Sequence, residues 1–343
     1  VSTSRSFSLW VLTIILSTSG QVADSPLALD ADARQRIVIK VASIMTEKYV
    51  DPETGRAMAN RILSRLEQGA YNSLDDVKSF CSTVTSDLRS VSDDRHLFVF
   101  YSPEEALEVA ARKKLLPPDE IEEIEKQYFE ASRKENFGFR KVEILEGNVG
   151  YLELRMFPTI EDGAETAAAA MAFLSDTDAM IVDLRNNGGG SDMVSFLSSY
   201  FFTSEPVELN GAYFRESGTV RRTWTLPYVP GKRLPEIDLY ILTGPQTFSA
   251  AEDFTYGLQQ LERAVVVGER SKGGAHPIDV LIVEGDILTQ VSIGRSVNPI
   301  TKTNWEGVGV TPDVEVPARE ALAVAHRMAR ESLADEADPD RSE

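Results

Sequence analysis

Cysteine is almost missing from this chain: Cys81 is the only one in 343 residues. No disulfide can close within the chain, and no cysteine metal cluster can be built. Histidine is scarce as well. His96, His276 and His326 lie far apart without zinc spacing, so no metal and no cofactor are expected. Positive charge is in deficit, with 35 Lys and Arg against 54 Asp and Glu and a formal net charge of −19. With no dense basic patch to offset it, that balance argues against nucleic acid as a partner. The run Gly188-Gly189-Gly190 lacks the lysine and spacing of a phosphate loop, and it is not the G-x-G-x-x-G dinucleotide fingerprint. The apolar stretch at 7–16 is too short to span a bilayer as a permanent helix. No cysteine follows it, so no lipid anchor is expected there.

What remains reads as a globular protein with room for one large domain and a smaller one. Arg5, the apolar stretch, and then Ser17, Ser19 and Gly20 form the three parts of a secretory signal peptide, assigned to 1–23. It implies a periplasmic or secreted protein. A helical domain is expected over 24–102. Ile37, Val41, Ile44 and Met45 recur at helical spacing, and further amphipathic runs cover Ala57 to Leu66 and Leu74 to Leu88. Asp51-Pro52 and Gly69 read as the breaks. An acidic turn, Ser92 to Arg95, leads to His96, which is expected to open a strand reaching Tyr101. A charged helical connector follows at 103–136, divided by Pro117-Pro118.

From 137 to 317 strands and helices alternate, the pattern of an α/β core. A hairpin turns at Glu146-Gly147-Asn148. A helix covers Ala164 to Leu174, a buried strand Ala179 to Leu184, and a second helix Ser191 to Phe202. Strands are also read at Leu239 to Leu242 and Ala264 to Val267, followed by a loop from Gly268 to Pro277. The segment 318–343 is read as a helix to about Leu333 and an acidic tail from Ala334 with the composition of a disordered segment.

Ser249 stands where the strand Leu239 to Leu242, broken by Gly244-Pro245, passes into a helix carrying Ala250, Phe254, Leu258 and Leu261 on one face. Amides at a helix start have no helical partner and sit at the positive end of the dipole. That suits a nucleophile whose reaction creates a negative oxygen. The plainer reading is a serine that caps the helix. The glycine turn at 188–190 admits the same two readings, an oxyanion hole or a tight turn needing positive φ.

Five segments occur in one order: Gly150-Tyr151-Leu152, Asp183 through Gly190, Thr247 through Glu252, Gly268-Glu269 with Gly273-Gly274-Ala275, and Gly307 through Asp313. Together they resemble the tail-specific (C-terminal-processing) serine protease family. The nearer branch is that of the interphotoreceptor retinoid-binding protein and its bacterial relatives. The resemblance runs from about Leu27 to Pro317. It implies a crotonase-like ββα superhelix core behind the small N-terminal helical domain, and a serine-type endopeptidase acting on a peptide or protein substrate. It matches the nucleophile to Ser249 and the oxyanion donors to Ala250 and the turn of Gly189 and Gly190. The branch also implies an alternative, a non-catalytic binding protein for apolar small molecules.

Two departures from the family pattern matter. The connector 103–136 is too short for the PDZ domain that many members insert. The family's lysine base, in a Thr-Phe-Gly-Lys-Gly loop, falls on Gly274. Lys272 is two residues early, a slip that keeps the side-chain face if the segment is extended. Its neighbours Glu269, Arg270 and Ser271 look too polar to desolvate it. The tricorn-like arrangement instead implies His96 as base and Glu306 as the carboxylate that orients it, and it predicts activity rising with an apparent pKa of roughly 6–7. His276 is a rival base or a loop stiffener.

Overall fold

The computed structural model describes residues 29–337, so the signal peptide assigned to 1–23 lies outside the described residues, as do the last six residues of the acidic tail. The chain opens with three helices, α1 (Ala31–Lys48), α2 (Pro52–Glu67) and α3 (Val77–Arg89). Each begins on an aspartate, Asp30, Asp51 or Asp76, whose carboxylate accepts the amide three residues on. Asp51-Pro52 is therefore a helix start rather than a gap. Proline fits the first turn because its missing amide has no partner to lose there, so α2 begins before the expected Ala57.

Strand β1 (Phe98–Tyr101) follows, so His96 lies two residues ahead of the strand it was expected to open. Helices α4 (Pro103–Arg112) and α5 (Pro118–Lys134) make the connector. Then come β2 (Phe139–Leu145), β3 (Val149–Leu154), α6 (Ile160–Phe173), β4 (Ala179–Asp183) and α7 (Met193–Ser198). Helix α7 is shorter than expected and passes into a 3-10 turn, Ser199–Phe201. The hydroxyls of Ser195 and Ser199 donate back to Asp192 and Ser195 carbonyls, which competes with helical bonding. The rest is β5 (Glu208–Phe214), β6 (Thr219–Trp224), β7 (Asp238–Thr243), α8 (Ala250–Gln260), β8 (Val265–Gly268), β9 (Ile278–Glu284), β10 (Ile287–Ser292), β11 (Gly294–Val297), β12 (Val314–Glu315) and α9 (Ala318–Ala337). Helix α9 thus continues four residues into the stretch expected to be a disordered tail.

A six-stranded sheet in the order β12-β8-β7-β4-β3-β2 forms the centre, parallel except for the edge strand β2. One face carries Met180, Val182 and Ile241 against Phe196, Phe254 and Leu258 of α7 and α8. The other face carries Ile181, Tyr240 and Leu242 against Ala321, Ala325 and Ala329 of α9. With both faces covered, the strands read as unbroken apolar runs. Antiparallel sheets β1-β10-β9 and β11-β5-β6 stand outside this layer. The first closes the core of the helical unit, because Ile287 and Val291 of β10 pack with Ile37, Met45, Phe80 and Leu88.

This topology sets the site. β4 and β7 are adjacent and parallel, with Asp183 opposite Leu242 at their ends. The glycine turn leaves β4, the Ser249 turn leaves β7, and the 268–277 loop leaves β8, all from the carboxyl edge of one sheet. That edge is where open α/β sheets place their ligands.

Candidate active site

Ser249 occupies the N-cap position of α8 with φ 54° and ψ −120°. A non-glycine residue held in so sparsely populated a region costs about 1–3 kcal/mol, which its surroundings must supply. Phe248 N–H donates to Asn187 O at 3.0 Å, and Thr247 Oγ1–H donates to Leu184 O at 2.7 Å. Ser249 N–H donates to Glu252 Oε2 at 2.9 Å, the Glu252 half of a capping box at the start of α8.

The glycine turn lies directly against this serine. A Cβ on Gly189 would stand 2.7 Å from Ser249 Cβ, and φ at Gly189 is +110°. Only glycine meets both conditions. Gly190 (φ +138°) is pressed against Phe157, whose carbonyl oxygen would lie 2.1 Å from an added Cβ. The Gly189 amide, expected to face an oxyanion, instead donates to Asn187 Oδ1 at 2.9 Å. No acceptor among the described residues is bonded to the amides of Gly190 or Ala250.

Glu252 received no role from the sequence, yet it ties two of these segments together. It is fully buried and also accepts Ser271 Oγ–H at 2.5 Å, Gly273 N–H at 2.6 Å and Gly274 N–H at 2.8 Å. One carboxylate thus fastens the Ser249 turn to the loop after β8. Burial pushes its pKa up to about 7, against the pull of these donors. The spacing of Ser249 and Glu252, a capping-box signature, was the available signal.

The loop itself brings His96 in. A side chain on Gly274 would meet the Phe248 ring at 2.2 and 2.5 Å and His96 Cε1 at 2.6 Å. Where the family carries its lysine, this chain has filled the space with two rings. Their centroids lie 4.4 Å apart with the ring planes tilted by 37°. His96 is buried. Its N–H donates to Asp94 Oδ1 at 2.8 Å, its carbonyl accepts Gln290 Nε2 at 2.7 Å, and its Nδ1 is buried with no hydrogen-bond partner. Burial pushes its pKa down to about 4, below the usual histidine range.

Lys272 sets its Nζ 4.5 Å from the centre of the Phe248 ring. Burial, and then Arg89 and Arg95, lower its pKa, so the polar loop does not prevent its desolvation. Glu306 reaches His276 rather than His96. Its Oε2 accepts Ala275 N–H at 2.6 Å and His276 N–H at 3.1 Å, and it lies 3.6 Å from His276 Nδ1. Asp94 Oδ2 faces the same Nδ1 at 3.4 Å. Against the cost of burial, these two carboxylates raise the His276 pKa. Ser249, His96, Lys272, His276 and the glycine turn all line one cleft of about 1480 Å³.

The chain matches two family profiles. Residues 148–316 match peptidase family S41, and residues 23–145 match the N-terminal domain of Peptidase_S41 in eukaryotic IRBP. Among curated proteins it is 27% identical over 169 residues to the chloroplastic carboxyl-terminal-processing peptidase 2 of Arabidopsis thaliana, covering 49% of this chain and 32% of that one. It is 25% identical over 183 residues to a probable CtpA-like serine protease of Staphylococcus saprophyticus, covering 52% and 36%. It therefore spans about a third of the length of these relatives. Among solved structures, the photosystem II D1 C-terminal processing protease superposes with a TM-score of 0.51 at 15% identity, over 83% of this chain and 94% of that one. That likeness, with the central sheet and its helices, bears out the expected fold. No helix among the described residues is long and apolar enough to cross a membrane.

Proposed function

The chain belongs to peptidase family S41, and from that premise we propose that it is an exported serine peptidase that cuts peptides through an acyl-enzyme, with Ser249 as nucleophile and His96 as base. Ser249 Oγ attacks the scissile carbonyl carbon while His96 takes the hydroxyl proton. The oxyanion accepts hydrogen bonds from the Ala250 amide at the start of α8 and from the Gly190 amide, with Gly189 leaving room for it beside Ser249. His96 then returns the proton to the leaving amine, and water releases the acyl group by the same route.

The observation that carries this reading is the space around Gly274. The imidazole of His96 and the ring of Phe248, the residue before the nucleophile, fill the volume into which a side chain at the family's lysine position would extend. The neighbouring groups fit the base role less well. His276 has a raised pKa and holds its proton more tightly than a free imidazole. Lys272 is pulled both ways: its ammonium rests on the Phe248 ring face, which favours the charged form, but burial lowers its pKa. His96 is kept neutral by burial, which is the state a base needs before attack. The signal peptide assigned to 1–23 supports export to the periplasm or medium.

A chromogenic peptide ester tests the proposal. The wild type should release a burst of about one product per chain before steady turnover, the mark of an acyl-enzyme. Ser249→Ala should show neither burst nor turnover. A folded wild type inert to a range of esters and peptides would favour the ligand-binding alternative.

A further inference from the structure

A triad needs a carboxylate behind its imidazole, and in this molecule the carboxylates stand behind the other histidine. Asp94 Oδ2 and Glu306 Oε2 approach one ring nitrogen, His276 Nδ1, at 3.4 and 3.6 Å. The three side chains come from separate segments: the turn before β1, the loop after β8 and the loop after β11. All three are buried or nearly so, with side-chain exposures of 1%, 11% and 14% for Asp94, His276 and Glu306. The other oxygen of Asp94 accepts the backbone amide of His96 at 2.8 Å. A continuous path thus runs from Glu306 through the His276 ring and the Asp94 carboxylate to the backbone that carries His96.

We propose that His276 is a positioning residue for the base: as an imidazolium gripped by Asp94 and Glu306, it locks the turn that carries His96 and holds that ring against Phe248 beside Ser249. This rests on His96 being the base. The argument is one of charge and geometry. Two buried carboxylates around a neutral ring leave negative charge uncompensated, and such a pair repels. A proton on the ring supplies a cation that attracts both, so the turn and the two loops are drawn together. Its other electrostatic neighbours are few. Tyr49, at the end of α1, hydrogen bonds Ser92 in the same turn as Asp94 at 3.2 Å. Arg295 on β11 opposes the charge on His276. Lys272 and His96 line the same cleft, along which Glu47, Lys48, Tyr101, Glu105, Arg155, Arg215, Glu216 and Arg221 are the further charged or titratable groups. The raised pKa of His276 agrees with the assignment.

The sign of the pH dependence separates this role from that of a base. A base must lose its proton before it acts, so turnover would rise with pH through the His276 pKa. A positioning cation acts while protonated, so turnover should fall with pH through that same pKa. The experiment records kcat and KM for a peptide substrate from pH 5 to 10 and follows the His276 ring by NMR in the intact wild-type chain. We expect the ring to titrate above the free-histidine value of about 6.5 and kcat to fall with the same midpoint, KM staying nearly constant. His276→Gln should lower kcat about 100-fold, the cost of a displaced reacting group, and should erase that alkaline limb. Glu306→Gln should move the limb to lower pH.

A kcat that stays flat or rises across the measured His276 midpoint overturns the proposal, as does a folded His276→Gln with wild-type kcat. If His276→Gln does not fold, the wild-type titration decides alone. His96→Ala is assayed alongside. Retained turnover in that variant removes the base reading and the proposal with it. Lost turnover there, combined with an unaffected His276→Gln, overturns the positioning role only.

Discussion

His96 and His276 border the same cleft and are treated in opposite ways. His96 is buried with its ring tilted against Phe248 and no hydrogen-bond partner for Nδ1. Burial lowers its pKa to about 4. His276 is held between Asp94 and Glu306, which raise its pKa. Desolvation favours the neutral form of one ring, and two nearby carboxylates favour the charged form of the other. On the proposed reading, environment alone sorts two groups of one chemical type into two roles. The difference also shows why a carboxylate matched by sequence to the base need not touch it: Glu306 acts on the loop beside His96.

The largest effect that tests this contrast comes from removing the neutral ring. His96→Ala should abolish turnover by a factor on the order of 10⁴ or more, because a nucleophile and its base act as a unit. Steady-state kinetics on a folded variant, checked by circular dichroism, measures it. Next, Gly274→Lys restores the family's residue at a place now filled. Its side chain would drive into the Phe248 ring and His96 Cε1. Turnover should fall about 100-fold through displacement of His96, and overpacking should cost about 1–3 kcal/mol in urea unfolding. A Gly274→Lys variant with wild-type activity would mean that the lysine can replace the ring as base.

The two histidines should also give opposite pH dependence to stability. The folded-state pKa of His96 lies below its unfolded value, so between pH 6.5 and about 4 the unfolded chain binds the proton first. Stability therefore falls as pH drops through that window, by up to about 3 kcal/mol. The folded-state pKa of His276 is raised, so its contribution is complete below the unfolded value and is lost as pH rises through the folded one. Urea unfolding at pH 4.5, 7 and 9 should show a shallower acid-side decline in His96→Gln. In His276→Gln the deficit should be greatest at the acid end. Parallel curves for the two variants would erase the contrast.

The smallest effect is expected from Lys272→Ala, a change of a few-fold in turnover. Its ammonium rests on the Phe248 ring, and loss of such a half-buried cation–π contact is worth about 1 kcal/mol.

Much of the α/β layer was legible because β4 and β7 are covered on both faces and read as apolar runs ended by glycine or proline. The outer sheets were not. β6 exposes Thr219 through Arg222, so it carries no alternation to read, and β9 and β10 belong to a sheet whose first strand lies far earlier in the chain. Within the site, the Ser249 turn and the glycine turn were readable because each lies within a few residues of a strand end. The grouping of Asp94, His276 and Glu306 was not, since no local pattern joins three loops that only the fold brings together. The low pKa of His96 was equally hidden, because it depends on Phe248 and the space at Gly274 rather than on neighbours in sequence.

Covalent labelling with a fluorophosphonate, with the adduct located by mass spectrometry in wild type and in His96→Ala, tests the central claim most directly. The account predicts one adduct, on Ser249 of the wild type, and none on the folded His96→Ala chain. A folded wild type unlabelled at Ser249, or a His96→Ala chain labelled at the wild-type rate, would contradict it.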